Sequence, residues 1–186
     1  MDATMPTRPS LLGASELDHE AGPPALIREL GAVLHLQHED GPRGGSWAVR
    51  DEVGKQVYSL GHRPNGGTRV GVRDASGAEL ASLGERVLSL VEHFTIWHGN
   101  RPCARVYRPG GGAHRGRWFV EVGGQQGWVV LTDASGFRVF SGGAEVARSL
   151  RRELSGMPSR VDLAPGVDVP LVLLLAELLS VAGEFP

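Results

Sequence analysis

Cysteine is nearly absent: Cys103 stands alone in 186 residues. No disulfide framework can form within the chain, so a reducing compartment is expected. Lysine is as scarce, Lys55 being the only one, and arginine carries the positive charge. Neither sign dominates, with 19 Lys and Arg against 21 Asp and Glu and a net charge of −2. That balance argues against bulk attraction to nucleic acid, and no such partner is expected. Apolar runs fall short of the ~20 residues that cross a bilayer, so no transmembrane span is expected. The start Met1-Asp2-Ala3-Thr4-Met5-Pro6 lacks a basic segment followed by an apolar one, and Glu184-Phe185-Pro186 is not a prenylation box. The cytoplasm is the expected location. No Gly-x-Ser-x-Gly elbow occurs, and no Ser–His–acid set emerges from spacing, so no catalytic residue, cofactor or enzymatic activity is expected.

What is present is turn chemistry: Gly 27 and Pro 12 with 41% hydrophobic residues describe a turn-rich β protein of one domain. Residues 1–23 mix Pro, Ser, Gly and acids without periodicity and read as a flexible tail, with the domain over 24–186. Pro24 to Leu30 could form one or two helical turns, ended by Gly31. From Ala32 the period becomes two, Leu34 and Leu36 alternating with His35 and Gln37. Hairpins follow through Asp51-Glu52-Val53-Gly54, Asp74-Ala75-Ser76-Gly77, His98-Gly99-Asn100, Gly123-Gly124, Asp133-Ala134-Ser135-Gly136 and Gly142-Gly143. Val87, Leu88 and Leu90 are read as strand-like before His93-Phe94-Thr95-Ile96-Trp97, and a short last strand lies near Val161 and Leu163. Asp and Asn tolerate left-handed backbone and Gly supplies positive φ, as hairpin turns require. Gly54, Gly77 and Gly99 recur about every 22 residues, and Ala81, Ala104 and Ala147 recur at the centres of following segments.

The organising element is a C-terminal helix over 169–182. Asp168 supplies the N-cap, Pro170 sits in the first turn and Gly183 follows as a stop. Its apolar residues cover nearly every face, so it must be surrounded. At most one short helical candidate precedes it, too little for a bundle, which leaves a closed barrel as its container. A helix ~10–12 Å wide does not fit the filled interior of eight strands, so about twelve antiparallel strands are expected around it. Glu177, with Ser180 a turn on, is placed at the barrel mouth, where an arginine could meet it. Trp47, Trp97, Trp118 and Trp128 fall in strands and are expected to pack on the helix or the wall.

The run Trp47 to Gly61, the segment Val70 to Ala81 with Leu88-Ser89-Leu90, and Asp168-Val169-Pro170-Leu171 at the head of the aliphatic helix together resemble the LURP-one-related family, over about residues 32–182. The resemblance implies the tubby C-terminal-like fold shared with phospholipid scramblases, a twelve-stranded barrel around a hydrophobic helix. Tubby domains bind phosphoinositides through basic surface residues, and none of those roles is carried over to a position of this chain. The scramblases' cysteine cluster and calcium segment have no counterpart in this chain.

The basic candidates for an anionic ligand are Arg108, Arg115 and Arg117, around a Gly-rich loop, and Arg138, Arg148, Arg151 and Arg152. The loop runs into a strand and lacks the closing Lys-Ser/Thr of a phosphate cradle. For the second group the plain reading is a solvated edge strand, with lipid phosphate as the functional one. His35, His38, His93, His98 and His114 lack convergent zinc spacing, so no metal is expected. The expectation is a non-catalytic binding module that docks on anionic phospholipid headgroups at a membrane surface. A protein-interaction adaptor without lipid affinity is the alternative, and an enzyme with a loop-built site is a distant third.

Overall fold

The computed structural model describes residues 31–39, 45–62, 70–85, 93–109, 116–150 and 158–182. The tail over 1–23, the helical turns over 24–30 and the Val87–Leu90 segment lie outside them. The described chain forms β1 (Ala32–Glu39), β2 (Ser46–Arg50), β3 (Gln56–His62), β4 (Val70–Asp74), β5 (Glu79–Glu85) and β6 (His93–His98). There follow β7 (Arg101–Tyr107), β8 (Arg117–Val122), β9 (Gln125–Asp133), β10 (Gly136–Ser141), β11 (Ala144–Leu150), β12 (Arg160–Leu163) and the helix α1 (Val169–Val181). Each strand pairs antiparallel with its sequence neighbour, and β12 pairs with β1 to close a barrel of twelve strands.

Closure needs curvature, and the register shows where it arises. One extra residue stands in each of β3, β5, β7, β9 and β11, at Val57, Leu80, Cys103, Gly127 and Val146. A bulge bends its strand and increases its twist, which curls a sheet into a cylinder. Three of the four intervals between positions 57, 80, 103, 127 and 146 are 23 or 24 residues. The repeat visible in the sequence is therefore a hairpin with a bulge built into its second strand. The recurrent alanines come next: Ala81, Ala104 and Ala147 each follow a bulge and face inward, buried.

The helix fills the lumen. Residues 171–176 with Leu178 and Leu179 are buried, whereas Val181 past the far rim is 77% exposed. Its nearest wall is β4 and β5, where Ala81 permits close approach. On the other side Trp118 and Phe137, both fully buried, occupy the wider gap. Asp168 caps the first turn, its Oδ1 accepting from the Leu171 amide at 3.0 Å. The helix ends at Val181, one residue short of the expected 182. Ala182 serves as the C-cap, its amide donating to the Leu178 carbonyl at 2.9 Å.

The two ends of the barrel differ. At the lower end, where α1 starts, five short turns join β2–β3, β4–β5, β6–β7, β8–β9 and β10–β11. At the upper end, where α1 finishes, the connections are longer except for the Asp133–Gly136 turn. Carboxylates organise several turns: Asp51 Oδ1 accepts from the Val53 and Lys55 amides, and Asp74 Oδ1 from the Ser76 and Ala78 amides.

Candidate functional site

Closure removes the edge-strand reading of Arg138 and Arg148. β10 is bonded to β9 and β11, and β11 to β10 and β12, so neither strand has a free edge for charge to protect. What these arginines do must be read from their face. Along β8, β10 and β11 the inward residues are Trp118, Val120, Phe137, Val139, Ala147 and Ser149. Arg117, Arg138 and Arg148 have the opposite parity and lie on the outer wall.

Register then aligns them. Arg117 pairs with Leu131, Leu131 with Arg138, and Arg138 with Arg148, giving one cross-strand row over β8–β11. Beside it, toward the lower end, runs a second outward row in which Tyr107 pairs with Phe119, Phe119 with Val129, and Val129 with Phe140. Tyr107 and Phe119 stack with centroids 5.7 Å apart and planes at 22°. The Tyr107 hydroxyl is pushed above the ordinary phenol range by burial first, then by the charge and hydrogen bond of Glu121.

The arginines are held by aromatic and acidic neighbours. The Arg138 guanidinium lies 5.9 Å from the Phe140 ring centroid and its Nη2 is 4.0 Å from Asp133 Oδ2. Arg148 Nε donates to Glu145 Oε1 at 2.7 Å. These residues are three apart, which on a regular strand would place them on opposite faces. The bulge at Val146 resets the alternation and brings them to one side. Arg108 does not join the row, because it turns inward over the buried Trp118 ring at 5.2 Å. Arg115, Arg151 and Arg152 lie outside the described residues.

Chemistry elsewhere is sparse. Cys103 is exposed at the β7 bulge, and its S–H donates to the Ile96 carbonyl, 3.4 Å from Sγ. Although the residue is exposed, partial burial of the sulfur, with the Asp168 charge second, pushes the thiol above its usual range, away from a reactive thiolate. Burial raises the Glu177 carboxyl too; among the described residues the charge acting against that is His62 rather than an arginine. A concavity of about 450 Å³ at the lower end is bounded by Leu34, Val57, Tyr58 and Val169 with Asp51 and Glu52. A cleft of about 470 Å³ on the outer wall includes Thr95, Cys103, Arg105 and Glu121. Neither brings a nucleophile to a base. Among the described residues, no three His, Cys, Asp or Glu side chains converge on a metal-sized site, and no helix is long and apolar enough to cross a membrane.

The apolar row escaped sequence reading, although a signal was there. Trp118-Phe119-Val120 and Trp128-Val129-Val130-Leu131 are apolar at both parities, whereas a sheet with one wet face alternates.

The architecture defines a class: a closed antiparallel barrel of twelve strands threaded by one apolar helix. No family model matches the chain, and no curated protein does. Among solved structures, the barrel is similar to the X-ray structure of a protein from Arabidopsis thaliana, AT5G01750. The TM-score is 0.57 at 17% sequence identity, over 81% of this chain and 88% of that one. At that identity the likeness establishes a shared fold.

Proposed function

We propose that this barrel is a non-catalytic binding module of the LURP-one-related, tubby-like kind that docks on anionic phospholipid headgroups at the cytoplasmic surface of a membrane. The observation that carries the reading is the line of Arg117, Arg138 and Arg148 on the outer wall. A guanidinium offers phosphate a planar fork of donors that a lysine lacks. Each basic residue near an anionic leaflet contributes ~1 kcal/mol, so three amount to about 3 kcal/mol before the neighbouring carboxylates are counted. Glu145 and Asp133 reduce that sum. Binding is therefore modest and falls with salt.

The experiment is co-sedimentation with vesicles of phosphatidylcholine, alone or mixed with phosphatidylserine, at low and high salt. Recovery should rise with phosphatidylserine, fall with salt, and drop in an Arg117→Glu/Arg138→Glu variant. Equal recovery from both vesicle types overturns the reading and favours an adaptor that recognises protein alone.

A further inference from the structure

A headgroup-binding barrel could meet the membrane with an open end or with its side. We propose that it lies on its side, with the wall of β7–β10 seated in the headgroup zone and the outward row Tyr107, Phe119, Val129 and Phe140 immersed at the boundary with the acyl chains. The inference rests on the lipid-binding reading and adds the face, the depth and the residues that enter.

Two features carry it. First, the row is apolar where a solvated wall should be polar: four successive strands each place an aromatic or branched side chain outward, in one register. All four side chains are half-buried. Every described element is either a wall strand or the helix within, so none of them crosses the outside of this row. Second, charge flanks the row on both sides. Arg117, Arg138 and Arg148 lie one same-face step away, ~7 Å along the strands, and Arg105 lies on the other side, paired with Glu121. Aromatic rings at the interface with arginines reaching back to phosphate is the banding that a membrane surface selects.

The curvature of the wall orders the depths. Phe119 and Val129 occupy the middle strands of the row, β8 and β9, and reach deepest. Tyr107 and Phe140 lie on the shoulders, and Tyr107 keeps its hydroxyl toward Glu121. β3 lies six strands round the ring from β9, so its outward, half-buried Ser59 is turned away from the bilayer in the docked state.

The test uses the full chain with Cys103→Ser and one new cysteine, Val129→Cys or Ser59→Cys, each carrying a nitroxide. With phosphatidylserine vesicles, the label at 129 should gain access to dissolved oxygen and lose access to an aqueous nickel chelate. The label at 59 should change in neither respect. Val129→Asp should weaken vesicle binding by about tenfold, or ~1.4 kcal/mol, with the far-ultraviolet spectrum unchanged. Vesicle-bound protein whose label at 129 stays in water overturns the side-on seat and leaves headgroup binding intact. Failure to bind vesicles removes both. Should Val129→Asp not fold, the two nitroxides decide alone.

Discussion

Truncating Leu174 to alanine tests whether the helix is a sealed core or an element that merely docks. The side chain is fully buried at the middle of α1, inside a wall whose twelve strands are hydrogen-bonded all the way round. Three carbons leave, and at ~0.8 kcal/mol per buried methylene the lost transfer is about 2.4 kcal/mol. Elsewhere neighbouring elements slide in to fill part of such a hole. Here the circumference is fixed by the backbone ladder, so a cavity on the order of 100 Å³ stays open and adds about 2.4 kcal/mol at ~24 cal/mol per Å³. The total of about 4–5 kcal/mol is a large share of the ~5–15 kcal/mol that holds a domain together. Val181→Ala is the internal control, because that side chain is 77% exposed and should cost less than about 0.5 kcal/mol. Equilibrium unfolding in urea, followed by tryptophan fluorescence, reads both. The midpoint should fall sharply for Leu174→Ala at an unchanged slope and hardly move for Val181→Ala. A cost for Leu174→Ala below about 1.5 kcal/mol would show that the lumen closes around the hole, and the rigid-wall reasoning would be wrong.

Three further outcomes are expected. The raised carboxyl of Glu177 means that the fold prefers it protonated. Its stabilising contribution is full below the ordinary 4.5 and is lost as pH rises through the folded value. Glu177→Gln should therefore be more stable than wild type at neutral pH, with the gap closing below pH 4.5; a variant less stable at neutral pH contradicts this. Gly136→Ala should cost about 3 kcal/mol or more, because φ is +141° and a Cβ would stand 2.6 Å from Ser149 Oγ. Gly77→Ala meets open space at φ +86° and should cost ~1–2 kcal/mol; equal losses in thermal melts would refute the distinction. Cys103 should alkylate with iodoacetamide more slowly at neutral pH than an unstructured cysteine, catching up only as pH climbs above the ordinary thiol range.

The contrast between those two glycines shows what turn chemistry can and cannot reveal. Asp-Ala-Ser-Gly occurs twice, and both copies read as turns with a glycine at positive φ, which they are. The first runs on through Ala78 before β5 begins, whereas the second returns directly, with Gly136 opening β10 opposite Asp133. Local residues supply the tendency to turn; the neighbouring β11 decides which glycine must also admit Ser149, whose buried Oγ accepts from the Phe137 amide at 2.8 Å. The helix was legible for the opposite reason. Apolar residues all round it leave no alternative to enclosure, and its diameter then sets the strand number. The bulges gave only a shadow in the sequence, a spacing of glycines and a recurrence of alanine. Neither says that one residue per hairpin has no partner across the ladder.

The candidate surface was half legible for a related physical reason. Composition picks out arginines, and alternation within a strand gives each a face. A surface row, however, runs perpendicular to the chain, through residues that are neighbours only by register. Phe119 and Phe140 are joined through Val129, a residue that looks like ordinary strand filler until the ladder places it between them. Arg108 illustrates the converse: nine residues from Arg117 in sequence and attached to the same loop, it points into the barrel while Arg117 points out. Proximity in sequence grouped them, and the parity of two hairpin strands divides them. The same parity makes the surface testable, since Phe119 and Trp118 are adjacent residues with opposite duties. Trp118→Leu should act through stability with vesicle affinity intact in the folded fraction, whereas a polar residue in place of Phe119 should lower vesicle affinity more than it lowers the melting point. If both changes moved only the melting point, the outer row would be wall and nothing more.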